Sequence, residues 1–111
     1  MPQLDGGHPM KCITLFVHSA VAEVFVDALL DDSSVSGFTL TPCEGHSRGT
    51  SGEPQLGPRD LVVGHVARSR IDIVVPAAQV DGLLGRLKTL ARADHSWGTW
   101  MVTDVAAFGR F

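Results

Sequence analysis

Residues 35–49 read VSGFTLTPCEGHSRG, and the fold is decided by how this stretch is taken. Phe38 and Leu40 alternate with Thr39 and Thr41, the period-two pattern of a half-buried β-strand. The chain then passes through Pro42 and Cys43 into Gly45-His46-Ser47-Arg48-Gly49, and on into a segment rich in Gly, Ser, Pro and Glu that ends near Arg59. A second strong strand, Arg68–Pro76, follows. Between two strands of so short a chain, a long polar loop is usually functional or disordered. Function is therefore expected at this loop.

Working outward, strand 2 is expected over Val35–Cys43, and strand 3 from near Leu61 to Val75. In strand 3, Ile71, Ile73 and Val75 point one way while Arg68, Arg70 and Asp72 point the other. Residues 45–59 hold only one large apolar side chain, Leu56, so they bury too little to offset the entropy of ordering. Upstream, Lys11–His18 (KCITLFVH) is a β-branched apolar run and forms strand 1. Ser19 reads as the N-cap of a helix over Ala20–Asp31, its hydroxyl accepting from a free amide of the first turn. Val21, Val24, Phe25 and Ala28 fall on one stripe of that helix, which Leu29 widens. Downstream, Pro76-Ala77-Ala78 opens helix 2, with Val80, Leu83, Leu84 and Leu87 on its buried face despite Gly82 and Gly85. Arg92–Trp97 is a turn region, and Gly98–Val105 is strand 4.

The order β-α-β, β-α-β specifies an α+β, ferredoxin-like βαββαβ domain: an antiparallel sheet with both helices on one face. The other face carries apolar and mixed residues with no helix to cover it. Such a face is expected to meet further copies of the chain.

With 111 residues, one domain is expected, spanning 10–111, with 1–9 as an N-terminal extension. A net charge of −3 and a pI near 5.9 leave no basic footprint, which argues against nucleic acid as a partner. No apolar run approaches the roughly 18 residues of a membrane span. The first ten residues lack the basic and apolar regions of a secretory signal, and two cysteines are too few for a disulfide framework. A cytoplasmic location is expected.

The runs Gly37-Phe38-Thr39 to Gly45-His46-Ser47-Arg48 and Arg70-Ile71-Asp72-Ile73-Val74-Val75-Pro76 with Gln79-Val80 resemble the PII signalling superfamily, in a divergent, PII-like form. The likeness spans Met10 to Arg110. It implies a homotrimer of ferredoxin-like subunits with a projecting T-loop, here residues 45–59. It also implies lateral clefts that bind an adenine nucleotide (ATP, ADP or AMP) as effector rather than as a tightly held cofactor. Through the loop, such a protein is implied to control a partner such as a membrane transporter, for inorganic carbon among others.

Carried over by position, Thr39 and Gly45 are implied to approach the nucleotide, with His46 and Arg48 beside them at the loop's start. Ile73 and Val74 are implied to flank the base. Gly98 and Thr99 are implied to lie at the phosphate-facing turn before the last strand, and Arg110 is implied to reach phosphate. Glycine lets backbone amides approach phosphate, and arginine offers a bidentate fork for it. The chain also departs from the pattern. Gly49 stands where a glutamine would serve 2-oxoglutarate, Thr99 stands where a lysine is expected, and no tyrosine is present for loop modification. A second terminal arginine is also missing. The missing lysine and arginine take positive charge from the cleft, so a less charged nucleotide is favoured; the missing glutamine and tyrosine argue against 2-oxoglutarate sensing and loop modification.

Other constellations carry two readings each. Cys43, His46 and His65 offer thiolate and imidazole to a metal, as in a CutA-like or metal-efflux-linked protein, but their spacing matches no metal motif. Otherwise Cys43 is a half-buried strand residue and the histidines are polar loop groups. Arg68 and Arg70 form either a phosphate site or a charged row facing solvent or a subunit. Trp97 is placed to stack on a ligand, whereas Trp100 is read as interface or core. Cys12 is read as a core residue. No nucleophile–base or paired-carboxylate arrangement is recognisable, and no enzymatic activity is expected.

Overall fold

The computed structural model describes residues 9–46, 66–93 and 98–111. Arg48, most of the T-loop, the segment Leu61–His65 and Trp97 lie outside the described residues, as does most of the N-terminal extension. Strand β1 spans Met10–His18, β2 Thr39–Gly45, β3 Val66–Pro76 and β4 Gly98–Val105; helix α1 spans Ala22–Leu30 and α2 Val80–Ala93. Each helix is entered through a short 3-10 turn, Ser19–Val21 and Ala77–Gln79.

The four strands form one antiparallel sheet in the order β2-β3-β1-β4. This is the βαββαβ, ferredoxin-like arrangement. Alternation fixes its two faces. Ile13, Leu15 and Val17 of β1 and Ile71, Ile73 and Val75 of β3 are all buried. They pack with Ala22, Phe25 and Leu29 of α1 and with Val80, Leu83, Leu84 and Leu87 of α2. The intervening strand residues lie on the helix-free face, where the register sets Thr14 opposite Asp72, Phe16 opposite Arg70 and His18 opposite Arg68.

Helix α2 tolerates its glycines because four large side chains bury on one stripe, and its ends suit the helix dipole, with Asp81 in the first turn and Arg92 in the last. That helix therefore runs into the expected turn region.

Three local expectations are corrected. Ser19 is not the cap: the Nδ1 of His18 accepts from the Ala20 amide at 3.0 Å, and the Ser19 hydroxyl instead lies 3.3 Å from that of Ser69. Strand β2 begins at Thr39 rather than Val35. A turn in which the Val35 amide donates to the Asp32 carbonyl at 3.0 Å ends at Val35, and Val35 and Phe38 pack against the core from outside the ladder. Cys12 is half-buried on the helix-free face, not in the core, because it shares the alternation of Thr14.

Candidate functional site

Where β2 begins, at one edge of the sheet, the C-terminal segment runs over the helix-free face and encloses a cleft of about 290 Å³. From β2 and its approach, Ser36, Gly37, Phe38 and Thr39 line it; from β3, Asp72 and Val74; from the C-terminal segment, Phe108, Gly109 and Arg110. Thr39 is the first residue of β2 and sits opposite Asp72 in the ladder. Phe38 is partly buried against the core, whereas Phe108 is 39% exposed. A side chain at Gly37 or Gly109 would project into open space, so neither glycine is there to relieve a clash.

Asp72 anchors a polar chain across the helix-free face. Its Oδ1 accepts from the Thr14 hydroxyl at 2.7 Å and its Oδ2 from Arg70 Nε at 2.9 Å. The Cys12 thiol lies 3.9 Å from the same carboxylate. Burial acts to raise the Asp72 carboxyl, but the hydrogen bonds from Arg70 and Thr14 outweigh it and hold the group below its usual range. The Arg70 guanidinium is raised in turn, chiefly by its bond to Asp72, and it lies 5.6 Å from the centre of the Phe16 ring. Of the two readings for Arg70, a charged row on the sheet face is the one its contacts support.

The structure thus brings three of the residues implied by resemblance, Thr39, Val74 and Arg110, to one cleft. Others it places elsewhere. Ile73 is fully buried on the helix side, so its side chain belongs to the core. Gly45 and His46 lie at the far end of β2, roughly 20 Å along the strand from Thr39 at about 3.3 Å per residue. Gly98 and Thr99 open β4, at the opposite edge of the sheet.

Both of these glycines are needed where they stand. A Cβ on Gly45 would collide with Arg68 Nε and lie 2.6 Å from its Cδ, so the glycine admits the stem of that buried arginine. A Cβ on Gly98 would collide with the Phe16 carbonyl oxygen and lie 3.3 Å from Val17 Cα.

Sequence reading misses Phe108, Gly109 and the cleft-facing role of Asp72. The signal available is the alternation that sets Asp72 and Val74 on one face together with the Phe108-Gly109-Arg110 run. What joins them is the path of the C-terminal segment, which no periodicity encodes.

The metal reading gains little. Cys43 and Glu44 point to opposite faces of β2 by alternation, and His46 Nε2 lies 3.6 Å from Glu44 Oε2, so the histidine turns away from the thiol. His65 lies outside the described residues, and among the described residues no three His, Cys, Asp or Glu side chains gather as a metal site. Trp100 is 48% exposed, with the Lys88 ammonium 4.5 Å from its ring centre, at the edge of an apolar hollow of about 100 Å³ between α2 and β4. No helix among the described residues is long and apolar enough to cross a membrane.

The sheet order, paired helices and edge cleft define a PII-like protein fold, and solved structures agree over most of the chain. Residues 8–111 match the family described as a protein of unknown function, DUF3240, and the chain belongs to that family. A DUF3240 family protein from Shewanella baltica OS155 superposes with a TM-score of 0.72 at 20% identity, covering 92% of this chain and 96% of that one. A PII-like signalling protein from Thermus thermophilus gives 0.60 at 20% identity, covering 88% of each chain. CPII, a nitrogen regulatory PII-like protein from Thiomonas intermedia K12 solved with ADP, AMP and bicarbonate, gives 0.59 at 22% identity over 94% of this chain and 98% of its own. At these identities the likeness concerns the fold. None of the curated proteins matches the chain.

Proposed function

We propose that this protein is a PII-like regulator, not an enzyme, which binds an adenine nucleotide in clefts between subunits of a homotrimer. Binding at the cleft biases the T-loop, residues 45–59, toward or away from a partner such as a membrane transporter or its associated protein. The observation that carries this reading is the edge cleft, which Thr39, Val74 and Arg110 line together with Asp72, Phe38 and Phe108. Its parts suit the parts of a nucleotide. Aromatic and aliphatic walls take a base, a fixed carboxylate accepts from sugar hydroxyls, and a guanidinium forks onto phosphate. The fold shared with CPII, solved with ADP, AMP and bicarbonate, supports the same reading.

Thr99 and Gly98 enter it from the other side. A cyclic trimer brings the β4 edge of one chain toward the β2 edge of the next, so these residues complete the cleft from a neighbouring subunit. A ligand that contacts the cleft more strongly in one loop state shifts the population of that state by its differential affinity.

Isothermal titration calorimetry with ATP, ADP and AMP, each with and without bicarbonate, tests the proposal. Micromolar binding that is lost in Arg110→Ala is expected. Absence of binding by all three nucleotides would overturn it.

A further inference from the structure

We infer that Leu40 of one subunit seats in the hollow between α2 and β4 of the next, an apolar contact that joins neighbouring chains on the helix side of the sheet. This contact rests on the edge-to-edge trimer proposed above and is independent of which ligand the cleft takes. The hollow measures about 100 Å³, and its floor is made by Val17, Phe25, Leu84 and Leu87, all of them buried core residues. Trp100 lines it from β4, and Lys88 lines it with its ammonium 4.5 Å from the Trp100 ring centre. Protein cores pack closely and leave few voids wider than a water molecule. An opening that reaches core side chains in so small a domain leaves apolar surface that a partner gains by covering. An apolar cavity of about 150 Å³ takes the six carbons of benzene, so one of about 100 Å³ takes roughly four, the number in a leucine side chain.

Leu40 offers that side chain at the opposite edge. It is 41% exposed, and it pairs with Ile71, so it stands on the helix side of edge strand β2. The register carries this row across the sheet, because Ile71 pairs with Leu15 and Leu15 with Trp100. Leu40 and Trp100 therefore lie at one level and on one face, at opposite edges. The next row on that face runs Pro42, Ser69, Val17 and Gly98, and it ends on a second residue of the hollow. All neighbouring strands are antiparallel, so β2 and β4 run in opposite directions. Rotation about an axis along the strands sets the β2 edge of one chain against the β4 edge of the next and changes neither level nor face. Leu40 then meets Trp100 and the hollow beside it. The contact is head-to-tail, so each chain gives one leucine and offers one hollow, and the ring closes.

The test is disulfide trapping in the full chain. Within one chain, positions 40 and 100 lie roughly 14 Å apart across the sheet at about 4.8 Å per strand, beyond the span of about 7 Å between bridged Cα atoms. A 40–100 bridge therefore joins two chains. The double variant Leu40→Cys, Trp100→Cys, oxidised with diamide, is expected to give covalent dimers and trimers in which mass spectrometry finds residues 40 and 100 linked. Neither single variant is expected to do so. In parallel, Leu40→Asp is expected to raise the concentration at which the oligomer comes apart by about tenfold to a hundredfold, as for exposing one buried leucine. Light scattering reads this, with circular dichroism unchanged. An oligomer that forms no 40–100 bridge and keeps its mass in Leu40→Asp overturns the contact and leaves the trimer standing. A wild-type mass of one chain overturns both. Should Leu40→Asp fail to fold, the trapping decides alone.

Discussion

Asp32 fastens the turn after α1 to helix α2. Its Oδ1 accepts from the Ser34 amide at 3.0 Å and the Ser34 hydroxyl at 2.6 Å, and its Oδ2 from Arg86 Nε at 2.8 Å. The Ser34 bonds, then Arg86, lower its carboxyl from 3.8 to about 2. A depressed carboxyl stabilises the fold fully above its unfolded value, and that contribution disappears as pH falls through the folded one. Thermal melts of wild type and Asp32→Asn between pH 7 and pH 2 should therefore converge at the acid end. At pH 7 the variant should melt several degrees lower, as expected for losing side-chain bonds worth about 1 kcal/mol in total. Gly98 is a second such residue, because the obstacle to a side chain there is the Phe16–Val17 backbone and cannot swing aside. Gly98→Ala should lower the urea midpoint, at a cost of roughly 2 kcal/mol or more. At this scale the sequence is partly legible. The family resemblance, not any periodicity, singles out Thr39, Val74 and Arg110, which the fold gathers at one cleft. Ser19 misleads because His18, one residue earlier, offers a ring nitrogen to the same turn, and the cap preference of serine cannot weigh that competitor.

The elements themselves are more legible than their ends. Gly98–Val105 reads as a strand because its flanks are sharply punctuated, β1 follows from its β-branched apolar run, and α2 from a period of 3.6. The start of β2 does not, since Val35 and Phe38 are apolar because they pack against the core from outside the ladder, Val35 closing a hydrogen-bonded turn from Asp32. Local pattern records burial but not pairing. The same separation makes a prediction at α2. Gly85 lies in the helix interior with nothing near its missing side chain, and its carbonyl accepts from the Thr89 hydroxyl at 3.1 Å, a bond that a methyl group leaves intact. Gly85→Ala should stabilise the domain by about 0.5–1 kcal/mol, measured by urea denaturation. Leu83→Ala, by contrast, removes a side chain that is 1% exposed and should cost roughly 2–5 kcal/mol.

For the molecule as a whole, the sheet has one face covered by helices and one that carries Phe16, the half-exposed Met101 and the Thr14–Asp72–Arg70 chain with no helix over it among the described residues. The proposed trimer buries that face. Light scattering should accordingly give three times the 11.8 kDa chain mass, and Met101→Asp should lower it toward one. The placement of β2 and β4 at opposite edges has a consequence that can be read genetically. If each cleft takes Arg110 from one chain and Thr99 from the next, a chain damaged at Arg110 and a chain blocked at Thr99 by a bulky residue each lack every functional cleft alone. Mixed before assembly in equal amounts, they would rebuild about a quarter of the clefts from their intact halves. Two inactive alleles would then complement each other within one oligomer, while a site contained in a single chain could never be rescued this way.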